Sequence, residues 1–423
     1  MSSALADPFS EAESVAVDAA MSLGVQTPAY LYDLDEVRAN CKRLRSALPR
    51  LNGIYYSLKA NPHPAILEAV RGQGALPEVC SVGELDQALA AGWPATEVLY
   101  TGPGKRDEDV AYALTIGVSE FSVDSGMALD QLNRLAEHAD VDVRSLLRIN
   151  DDHPVAGQGL TMTGVPSQFG ADLEWVLAEP QRFANRKRVR VSGLHLYMGT
   201  NLTNVHDLLG QFAHSLATTA RLTEVLAGQG VQIETLDLGG GFGAPFAQKG
   251  QAIDLEGLHE GLTMLFDEHF KTWREGSPHI VFESGRYLVG TAGNLLTRVL
   301  DVKKSHGKDV VVLDSGINHL GGMSGLRRLP PLNPYLVGQQ QEGPTTPFIV
   351  TGPLCTPLDS WSRNAQLPAL SNGDVLSVPN VGAYGLYASL IAFLGHPAPT
   401  EVVVDGGRVT HLSQLELIRK EYL

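Results

Sequence analysis

The stretch IYYSLKANPHPAILEAVRGQGALPEVCSVGELDQALAAG, residues 54–92, decides the fold because it passes twice through one pattern. Each time, a short β-rich segment is followed by a segment whose apolar residues have helical spacing. Strands that alternate with helices in this way are typical of parallel sheets joined by right-handed helical crossovers. The stretch therefore predicts an α/β protein.

The same alternation continues along the chain and produces eight strand-like segments. They are residues 54–59, 77–81, 98–103, 120–125, 145–150, 191–197, 235–241 and 279–284. A helix-like segment, DEVRANCKRLRSAL, precedes the first of them, and helical patterns fill the gaps between them. Eight such strands are the number that closes into a (β/α)8 TIM barrel, and an open doubly wound sheet is the alternative.

The pattern changes after Gly293, where strand-like pieces are separated by Gly, Pro and Asn and only GLYASLIAFL has helical character. This predicts a C-terminal, mostly antiparallel β domain, folded as a barrel or a sandwich. The segment TPAYLYDLD also has strand composition and is expected to pair into that domain. The predicted division is a loose lead-in at 1–26, a strand joining the β domain at 27–36, the barrel at 37–290 and the β domain at 291–423.

Composition and charge exclude several classes of protein. The chain has 32 Lys and Arg against 47 Asp and Glu, a formal net charge of −15, which repels nucleic acid and anionic membranes. No signal peptide and no apolar run long enough to span a bilayer is evident. The spacing of Cys41, Cys80 and Cys355 fits neither a zinc knuckle nor a disulfide framework. We expect a cytoplasmic protein with no metal, nucleic-acid or membrane partner.

The loops after the strand C-termini hold the active sites of barrel enzymes, so polar residues there are candidates. Lys59 ends the first strand among apolar and hydroxylic neighbours. A desolvated position of this kind favours an uncharged, nucleophilic amine, although a lone lysine could equally be a solvent-facing charge.

Two further strand ends carry groups that suit an anion. LDLGGGFG places Gly239, Gly240 and Gly241 where backbone amides could turn toward a phosphate, or where a tight turn is needed. ESGRYLVG places Glu283 and Arg286 three residues apart, as a carboxylate with an anion clamp or as a pair that stabilises a turn. An amine, a phosphate cradle and a carboxylate together predict a pyridoxal 5′-phosphate (PLP) site.

Eight motifs in order make this site recognisable. They are YYSLKANP, PEVCSVGEL, SQFG, GLHLYMGT, LDLGGGFG, ESGR, GPLCTPLD and VGAYG, spread over roughly residues 27–415. This order resembles the fold-type III PLP decarboxylases, the group of diaminopimelate, ornithine and arginine decarboxylases. The resemblance implies an alanine-racemase-like barrel, PLP as cofactor and loss of CO2 from an amino acid.

The resemblance also implies roles for individual residues. Lys59 matches the lysine that bonds to the PLP aldehyde, and Glu283 matches the partner of the pyridine nitrogen. The residues implied to contact the phosphate are Gly239, Gly240, Gly241, Arg286 and Tyr384. Thr200 matches a hydroxyl near the phosphate, Glu78 and Arg148 match supporting charges, and Gly285 is a further cofactor-binding candidate.

Cys355 matches a cysteine that reaches into the neighbouring subunit's site. The resemblance therefore implies a head-to-tail homodimer with shared active sites, in which Cys355 and Lys59 are the candidates for proton delivery to Cα. The alternative for Cys355 is a small buried hydrophobe.

Glu283 helps to choose the reaction. A carboxylate beside the pyridine nitrogen favours the protonated ring, which is the deepest sink for the electrons left when CO2 departs. Alanine racemases place a cationic residue there instead. Glu283 thus favours decarboxylation, with an amino-acid racemase and a non-catalytic PLP carrier protein as the alternatives.

Tyr197 departs from the pattern of the family, which usually has at this position a histidine that stacks on the cofactor ring. An aromatic face can still stack, but tyrosine cannot gain a positive charge near neutral pH. His195 lies two residues earlier, on the same face of the strand. It either compensates for the missing histidine or is a buried core residue.

Two further departures from the sequence pattern of the family narrow the range of possible substrates. Thr356, in the GPLCTPLD motif that ends at Asp359, replaces the glutamate that diaminopimelate decarboxylases usually carry after the cysteine. Thr356 and Asp359 are candidates for substrate binding. The insertion INHLGGMSGLRRLPPLNPYL holds Arg327, Arg328 and Tyr335, which are candidates for substrate binding alongside Arg286, or simply an exposed loop. We expect a bulkier substrate, such as a conjugated or carrier-bound amino acid of a specialised-metabolite or siderophore pathway.

Overall fold

The computed structural model describes residues 11–50, 53–151, 165–321, 332–338 and 344–422, with side chains from residue 17 onward. The chain divides into two compact units. One contains Arg38–Ala244 and Ala252–Leu288, and the other contains Met1–Val37, Pro245–Gln251 and Val289–Leu423.

The described residues form α-helices and β-strands, with short 3₁₀ turns between them. In chain order the helices are α1 (Glu11–Ser22), α2 (Leu34–Ala47), α3 (Pro64–Gly72), α4 (Val82–Ala90), α5 (Asp107–Thr115), α6 (Gly126–Ala139), α7 (Leu173–Ala178), α8 (Val205–Ala227), α9 (Leu258–His269) and α10 (Arg286–Val289). The strands are β1 (Ala29–Asp33), β2 (Gly53–Ser57), β3 (Leu76–Val79), β4 (Leu99–Tyr100), β5 (Glu120–Val123), β6 (Val143–Asn150), β7 (Ala171–Asp172), β8 (Val189–Leu196), β9 (Thr235–Asp237), β10 (His279–Ser284), β11 (Gly293–Ser305), β12 (Lys308–Leu313), β13 (Val337–Gly338), β14 (Thr346–Thr351), β15 (Ser360–Leu367), β16 (Val375–Val378), β17 (Thr400–Asp405) and β18 (Arg408–Gln414).

Eight parallel strands of the first unit close into a barrel. The ring runs β2, β3, β4, β5, β6, β8, β9, β10 and back to β2, and the short β7 adds to β6 outside it. Each of the eight strand segments predicted from the sequence overlaps one strand of this ring. The prediction of a TIM barrel is confirmed, and the open doubly wound sheet is excluded.

Packing inside the barrel explains why the strands can close. Tyr55, Leu99, Leu146 and Val281 come from four different strands and form a buried cluster. Gly193 in β8 makes room for it, because a Cβ atom there would lie 2.4 Å from the Leu146 side chain. A large residue at this position would overfill the interior.

The helices after β3 and β5 begin close to the ends of those strands because serine caps them. Ser81 accepts a hydrogen bond from the Glu84 amide at the start of α4, and Ser125 accepts one from the Ala128 amide at the start of α6. Such caps satisfy amides that a helix leaves without partners in its first turn. The caps fix the loops at the carboxyl ends of the barrel strands, where the candidate site residues lie.

The second unit contains a sheet with the order β15, β14, β12, β11, β1, β17, β18, in which β16 pairs with β11 and β13 pairs with β16. β1, from the segment TPAYLYDLD, pairs antiparallel with β11 and parallel with β17. β12 and β14 are also parallel, and the remaining pairings are antiparallel. The predicted class, a barrel with a separate and mostly antiparallel β domain, is confirmed.

Two local features differ from expectation. The lead-in contains helix α1, whose Val17 and Ala20 are buried in a cluster with the β1 residues Ala29 and Leu31, so tertiary burial stabilises a segment with little helical signal of its own. GLYASLIAFL forms two 3₁₀ turns instead of a helix, with Leu394 in the left-handed region at φ 58°.

Among the described residues, no helix combines the length and apolar character needed to cross a membrane.

Candidate active site

Lys59 lies at the mouth of the barrel, in a 3₁₀ turn that follows β2 directly. Its two neighbours in this turn, Leu58 and Ala60, are buried, whereas 46% of the Lys59 side chain is exposed. The Nζ atom lies 3.9 Å from Oε1 of Glu78, whose side chain is 3% exposed. The amine of this half-exposed side chain therefore faces a buried carboxylate of opposite charge.

Glu78 is held as an anion at the end of β3. The Thr101 hydroxyl donates a 2.5 Å hydrogen bond to its Oε1 atom. Burial alone would raise the pKa of this carboxyl. The Lys59 ammonium outweighs burial, helped by hydrogen bonds from two neighbouring hydroxyls and by the charge of Arg148, and the pKa is lower than usual. Glu78 is thus a fixed negative charge that faces the lysine.

A second buried cluster lies at the ends of β8, β9 and β10. One side-chain nitrogen of His195 and one carboxylate oxygen each of Asp237 and Glu283 lie within 4.8 Å of one another. His195 Nε2 is 3.3 Å from Glu283 Oε1, and both atoms are buried without hydrogen-bond geometry to any group among the described residues. A buried carboxylate oxygen with no donor is costly, so this site suits a ligand that brings an N–H group.

The charges of this cluster depend on what binds beside it. Burial raises the pKa of the Glu283 carboxyl well above its usual value, and the charges of Glu78 and Asp237 add to the effect. Burial also raises the pKa of Asp237 to about 7. A protonated pyridine nitrogen next to Glu283 would supply the missing positive charge and restore the carboxylate. The side chains present therefore fit the ring of PLP.

The three glycines after β9 allow close approaches that a side chain would block. Gly239 and Gly241 have φ angles of +64° and +102°, and a Cβ atom on Gly239 would lie 2.6 Å from the Tyr197 ring. A Cβ atom on Gly240 would lie 2.3 Å from the carbonyl oxygen of Glu283. The amide of Gly239 donates to Asp237 Oδ1 over 2.8 Å. Of the three amides predicted to bind phosphate, that of Gly239 is therefore already engaged within the protein.

The remaining barrel residues predicted for the site lie on neighbouring loops. Gly285 precedes α10, which begins at Arg286, and a Cβ atom on Gly285 would lie 2.7 Å from that of Ala60 beside the lysine. The loop containing Thr200 approaches the glycines, because a Cβ atom on Gly241 would lie 3.0 Å from the Gly199 carbonyl oxygen. Arg148 on β6 is buried, with its guanidinium 4.6 Å from the centre of the Phe169 ring.

Three side chains of this region were not singled out from the sequence. Asp237 turns back to its own loop, as described above. Ser122 Oγ lies 2.9 Å from His195 Nδ1, and Lys105 Nζ donates to the Ser122 carbonyl oxygen over 2.7 Å and to that of Gly102. Burial lowers the pKa of Lys105 to about 8. Asp237 ends β9, Ser122 lies one residue before the end of β5, and Lys105 lies in the loop after β4. A search that covered the strand ends and the whole of each following loop could have found them.

Cys355 and Thr356 belong to the second unit and lie in a loop organised by Asp359. The thiol of Cys355 is exposed. The buried Asp359 carboxylate accepts hydrogen bonds of 2.9 Å and 2.8 Å from the amides of Ile317 and Leu354. These bonds favour a role for Asp359 in holding the loop, and its predicted contact with substrate stays a prediction.

Other predicted residues of the second unit lie apart from that loop along the chain. Tyr384 has a φ angle of 57°, in the left-handed region that residues other than glycine rarely adopt. The Tyr335 ring lies 5.4 Å from the ammonium of Lys249 and lines a cavity of about 480 Å³. Arg327 and Arg328 lie outside the described residues.

Comparison with known proteins identifies similar chains. Residues 34–290 match the family described as pyridoxal-dependent decarboxylase, pyridoxal binding domain. The L-glutamyl-(BtrI acyl-carrier protein) decarboxylase of Niallia circulans is 32% identical, over 95% of this chain and 93% of its own length. The 2-((L-alanin-3-ylcarbamoyl)methyl)-2-hydroxybutanedioate decarboxylase of Staphylococcus aureus is 29% identical, over 88% and 92%. Diaminopimelate decarboxylase from Helicobacter pylori, complexed with L-lysine, superposes with a TM-score of 0.80 at 24% identity, over 92% and 94%.

Proposed function

Because the chain belongs to the pyridoxal-dependent decarboxylase family, we propose that Lys59 binds the cofactor and Glu283 contacts its ring nitrogen during decarboxylation. The chain is a PLP-dependent carboxy-lyase acting on an amino acid or an amino-acid conjugate. Its relatives are decarboxylases, which favours this activity over racemisation and over a non-catalytic carrier.

The barrel residues divide the work of binding and orienting the cofactor. PLP, when bound, supplies the electron-withdrawing ring that stabilises the carbanion left by CO2. Glu283 would keep the ring nitrogen protonated, Tyr197 would lie against the ring, and the Gly240 and Gly241 amides with Arg286 would bind the phosphate. Glu78 would orient the Lys59 amine by its opposite charge.

The observation that carries the proposal is that Lys59 and the unsatisfied Oε1 atom of Glu283 lie at the mouth of one barrel. Borohydride reduction of the loaded enzyme followed by peptide mapping should label Lys59. The Lys59→Ala variant should lose the label, and the matched variant Lys303→Ala, at an exposed position on β11, should keep it. A label on another lysine would contradict the assignment.

For the substrate we propose a conjugated or carrier-bound amino acid. The relatives named for an acyl-carrier protein and for a carbamoyl conjugate support it, as does Thr356 in place of the glutamate typical of diaminopimelate decarboxylases. CO2 release should be compared among free L- and D-amino acids, diaminopimelate, a glutamyl thioester of an acyl-carrier protein and a citryl conjugate. A higher kcat/KM for diaminopimelate than for every conjugate would exclude this proposal.

We also propose a homodimer in which Cys355 enters the partner's active site. The family resemblance and the exposed Cys355 thiol support it. Lys59→Ala and Cys355→Ala subunits, each defective in forming the normal product, should recover about one quarter of wild-type activity when mixed, since half of the dimers then contain one intact site. Mixing without recovery would show that the site is not shared.

A further inference from the structure

A chain of contacts at the barrel mouth links three side chains that the roles above do not use. Lys105 Nζ donates to the Ser122 carbonyl oxygen over 2.7 Å, and the Ser122 hydroxyl lies 2.9 Å from Nδ1 of His195. The other ring nitrogen of His195, Nε2, lies 3.3 Å from Oε1 of Glu283. The contacts connect the loop after β4 to strands β5, β8 and β10.

The acceptor at the end of the chain determines which ring nitrogen carries the proton. In a neutral imidazole one nitrogen donates and the other accepts. An ionised Glu283 can only accept, so a favourable contact needs the proton on Nε2. Nδ1 then accepts a hydrogen bond from the Ser122 hydroxyl. Lys105 fixes the position of this hydroxyl because it donates to the backbone carbonyl of Ser122.

We propose that Lys105, Ser122 and His195 are positioning residues that direct the Nε2–H group of a neutral His195 at Glu283 in the cofactor-loaded enzyme. The inference rests on the proposed contact of Glu283 with the ring nitrogen. A neutral donor steadies the carboxylate without bringing a positive charge that would compete with the ring for it. We call Lys105, Ser122 and His195 together the histidine relay.

Burial and charge support the histidine relay over a histidine that only fills the core. His195 is 1% exposed, and its Nε2 atom faces a carboxylate oxygen that also lacks a hydrogen bond among the described residues. Leaving two adjacent buried polar atoms unsatisfied is costly, whereas aligning them satisfies both, and the Glu283 carboxylate keeps lone pairs that can accept from the ring nitrogen.

The surrounding charges keep the imidazole neutral. Burial, followed by the positive charges of Arg148, Lys59 and Lys105, lowers the pKa of His195 well below its usual value. The carboxylates that face it are Glu283 and Asp237, and the charge of Glu78 acts on Glu283. Burial and the three cations outweigh these carboxylates, so we expect no imidazolium between pH 6 and 9.

The first test observes the proton directly. The holoenzyme is prepared with 15N-labelled histidine, and the His195 resonances are assigned by their loss in His195→Gln. We expect the Nε2–H tautomer from pH 6 to 9, and a mixture of tautomers in Ser122→Ala. An Nδ1–H tautomer or an imidazolium at pH 7 in the wild type would overturn the proposal.

The second test uses variants that place a donor at one ring position only. Glutamine can bring an amide N–H close to the position of Nε2, whereas asparagine reaches only that of Nδ1 and phenylalanine donates nothing. His195→Gln should bind PLP within about threefold of the wild type, and His195→Asn and His195→Phe about tenfold more weakly, as expected for one hydrogen bond to a charged group.

A spectroscopic readout separates positioning from packing. With PLP labelled by 15N at its ring nitrogen, the ring proton should be lost at lower pH in the Asn and Phe variants than in the Gln variant. His214→Gln, a change at a partly exposed histidine paired with Asp151, is the control and should match the wild type. Identical titrations for all three His195 variants would overturn the proposal.

Borohydride labelling distinguishes the two levels of inference. A wild-type label away from Lys59 would overturn the proposed cofactor lysine. A label on Lys59 in the wild type and in every His195 variant, together with the wrong tautomer, would overturn the histidine relay alone.

Discussion

The Nζ atom of Lys59 lies 3.9 Å from the Oε1 atom of Glu78, across two neighbouring parallel strands of the barrel. The strands β2 and β3 are in register at Ser57 and Glu78, and Lys59 follows two residues later. The pair is asymmetric, because the carboxylate is buried and the amine is half-exposed. Buried Glu78 can therefore orient the half-exposed Lys59 side chain by its opposite charge.

Replacing Glu78 by glutamine should lower kcat/KM at least tenfold without unfolding the protein. The amide keeps the shape but removes the ionised group that faces Lys59 and Arg148. Steady-state kinetics and thermal unfolding measure the two effects. Glu108→Gln, at an exposed residue of α5, is the control and should be silent, and an unchanged kcat/KM in Glu78→Gln would remove Glu78 from the site.

Replacing Gly240 by alanine should destabilise the protein by roughly 2 kcal/mol or more and reduce its affinity for PLP. The new Cβ atom would lie 2.3 Å from the Glu283 carbonyl oxygen, so β10 must move away. Gly210→Ala is a matched control inside α8, where a Cβ atom meets nothing within 4 Å. It should stabilise the protein by about 0.5–1 kcal/mol. Urea unfolding and PLP titration measure the stability and the cofactor affinity of both variants. Equal values for the two variants would contradict the prediction.

The sequence could predict the barrel because each of its strands, even the two-residue β4, lies in an apolar β-rich run next to a helical segment. The strand ends also led to Lys59 and Glu283, and the family resemblance led to Glu78. The sequence could not show which polar groups already have hydrogen-bond partners within the protein. The Asp237 carboxylate accepts from Gly239, and the Asp359 carboxylate from amides 42 and 5 residues away, so their partners depend on the fold.

The contacts of the histidine relay join residues that are far apart in sequence. Ser122 and His195 are separated by 73 positions, and Lys105 and Ser122 by 17. The parallel pairing of β4, β5, β6 and β8 brings them together. GLYASLIAFL has helical character in sequence, but its residue Leu394 adopts the left-handed region, which an α-helix does not contain.

Replacing Thr356 by glutamate should shift the substrate preference toward diaminopimelate. The resemblance to diaminopimelate decarboxylases implies that a carboxylate after the cysteine contacts a distal amino group, an attraction that threonine lacks. The ratio of kcat/KM for diaminopimelate to that for a conjugate measures the shift. Thr356→Gln has the same length without the charge and should leave the ratio near that of the wild type. Equal ratios in both variants would argue against a charge-reading role for this position.

Replacing Cys355 by alanine should divert the reprotonation of Cα while PLP binding stays intact. The exposed thiol is the proposed proton donor, and its loss leaves Lys59 or water to deliver the proton. Product analysis in deuterated water and PLP titration separate the two effects. Cys41→Ala changes a buried cysteine of α2 and should keep the normal product. Unchanged product ratio and rate in Cys355→Ala would exclude the role.

Replacing Glu401 by glutamine should make the protein more stable at pH 8 but not at pH 4.5. Burial raises the pKa of this β17 carboxyl to about 7, although the Tyr387 hydroxyl donates to it over 2.9 Å. A raised folded-state pKa contributes stability below the unfolded-state value, and that stability is lost as the pH rises through about 7. The loss amounts to ~3 kcal/mol, and a neutral amide avoids it. Urea unfolding of both proteins at pH 4.5, 6 and 8 measures the difference, which should widen with pH; Glu416→Gln, at an exposed residue, should show no such trend. A constant difference would mean that Glu401 keeps one protonation state throughout.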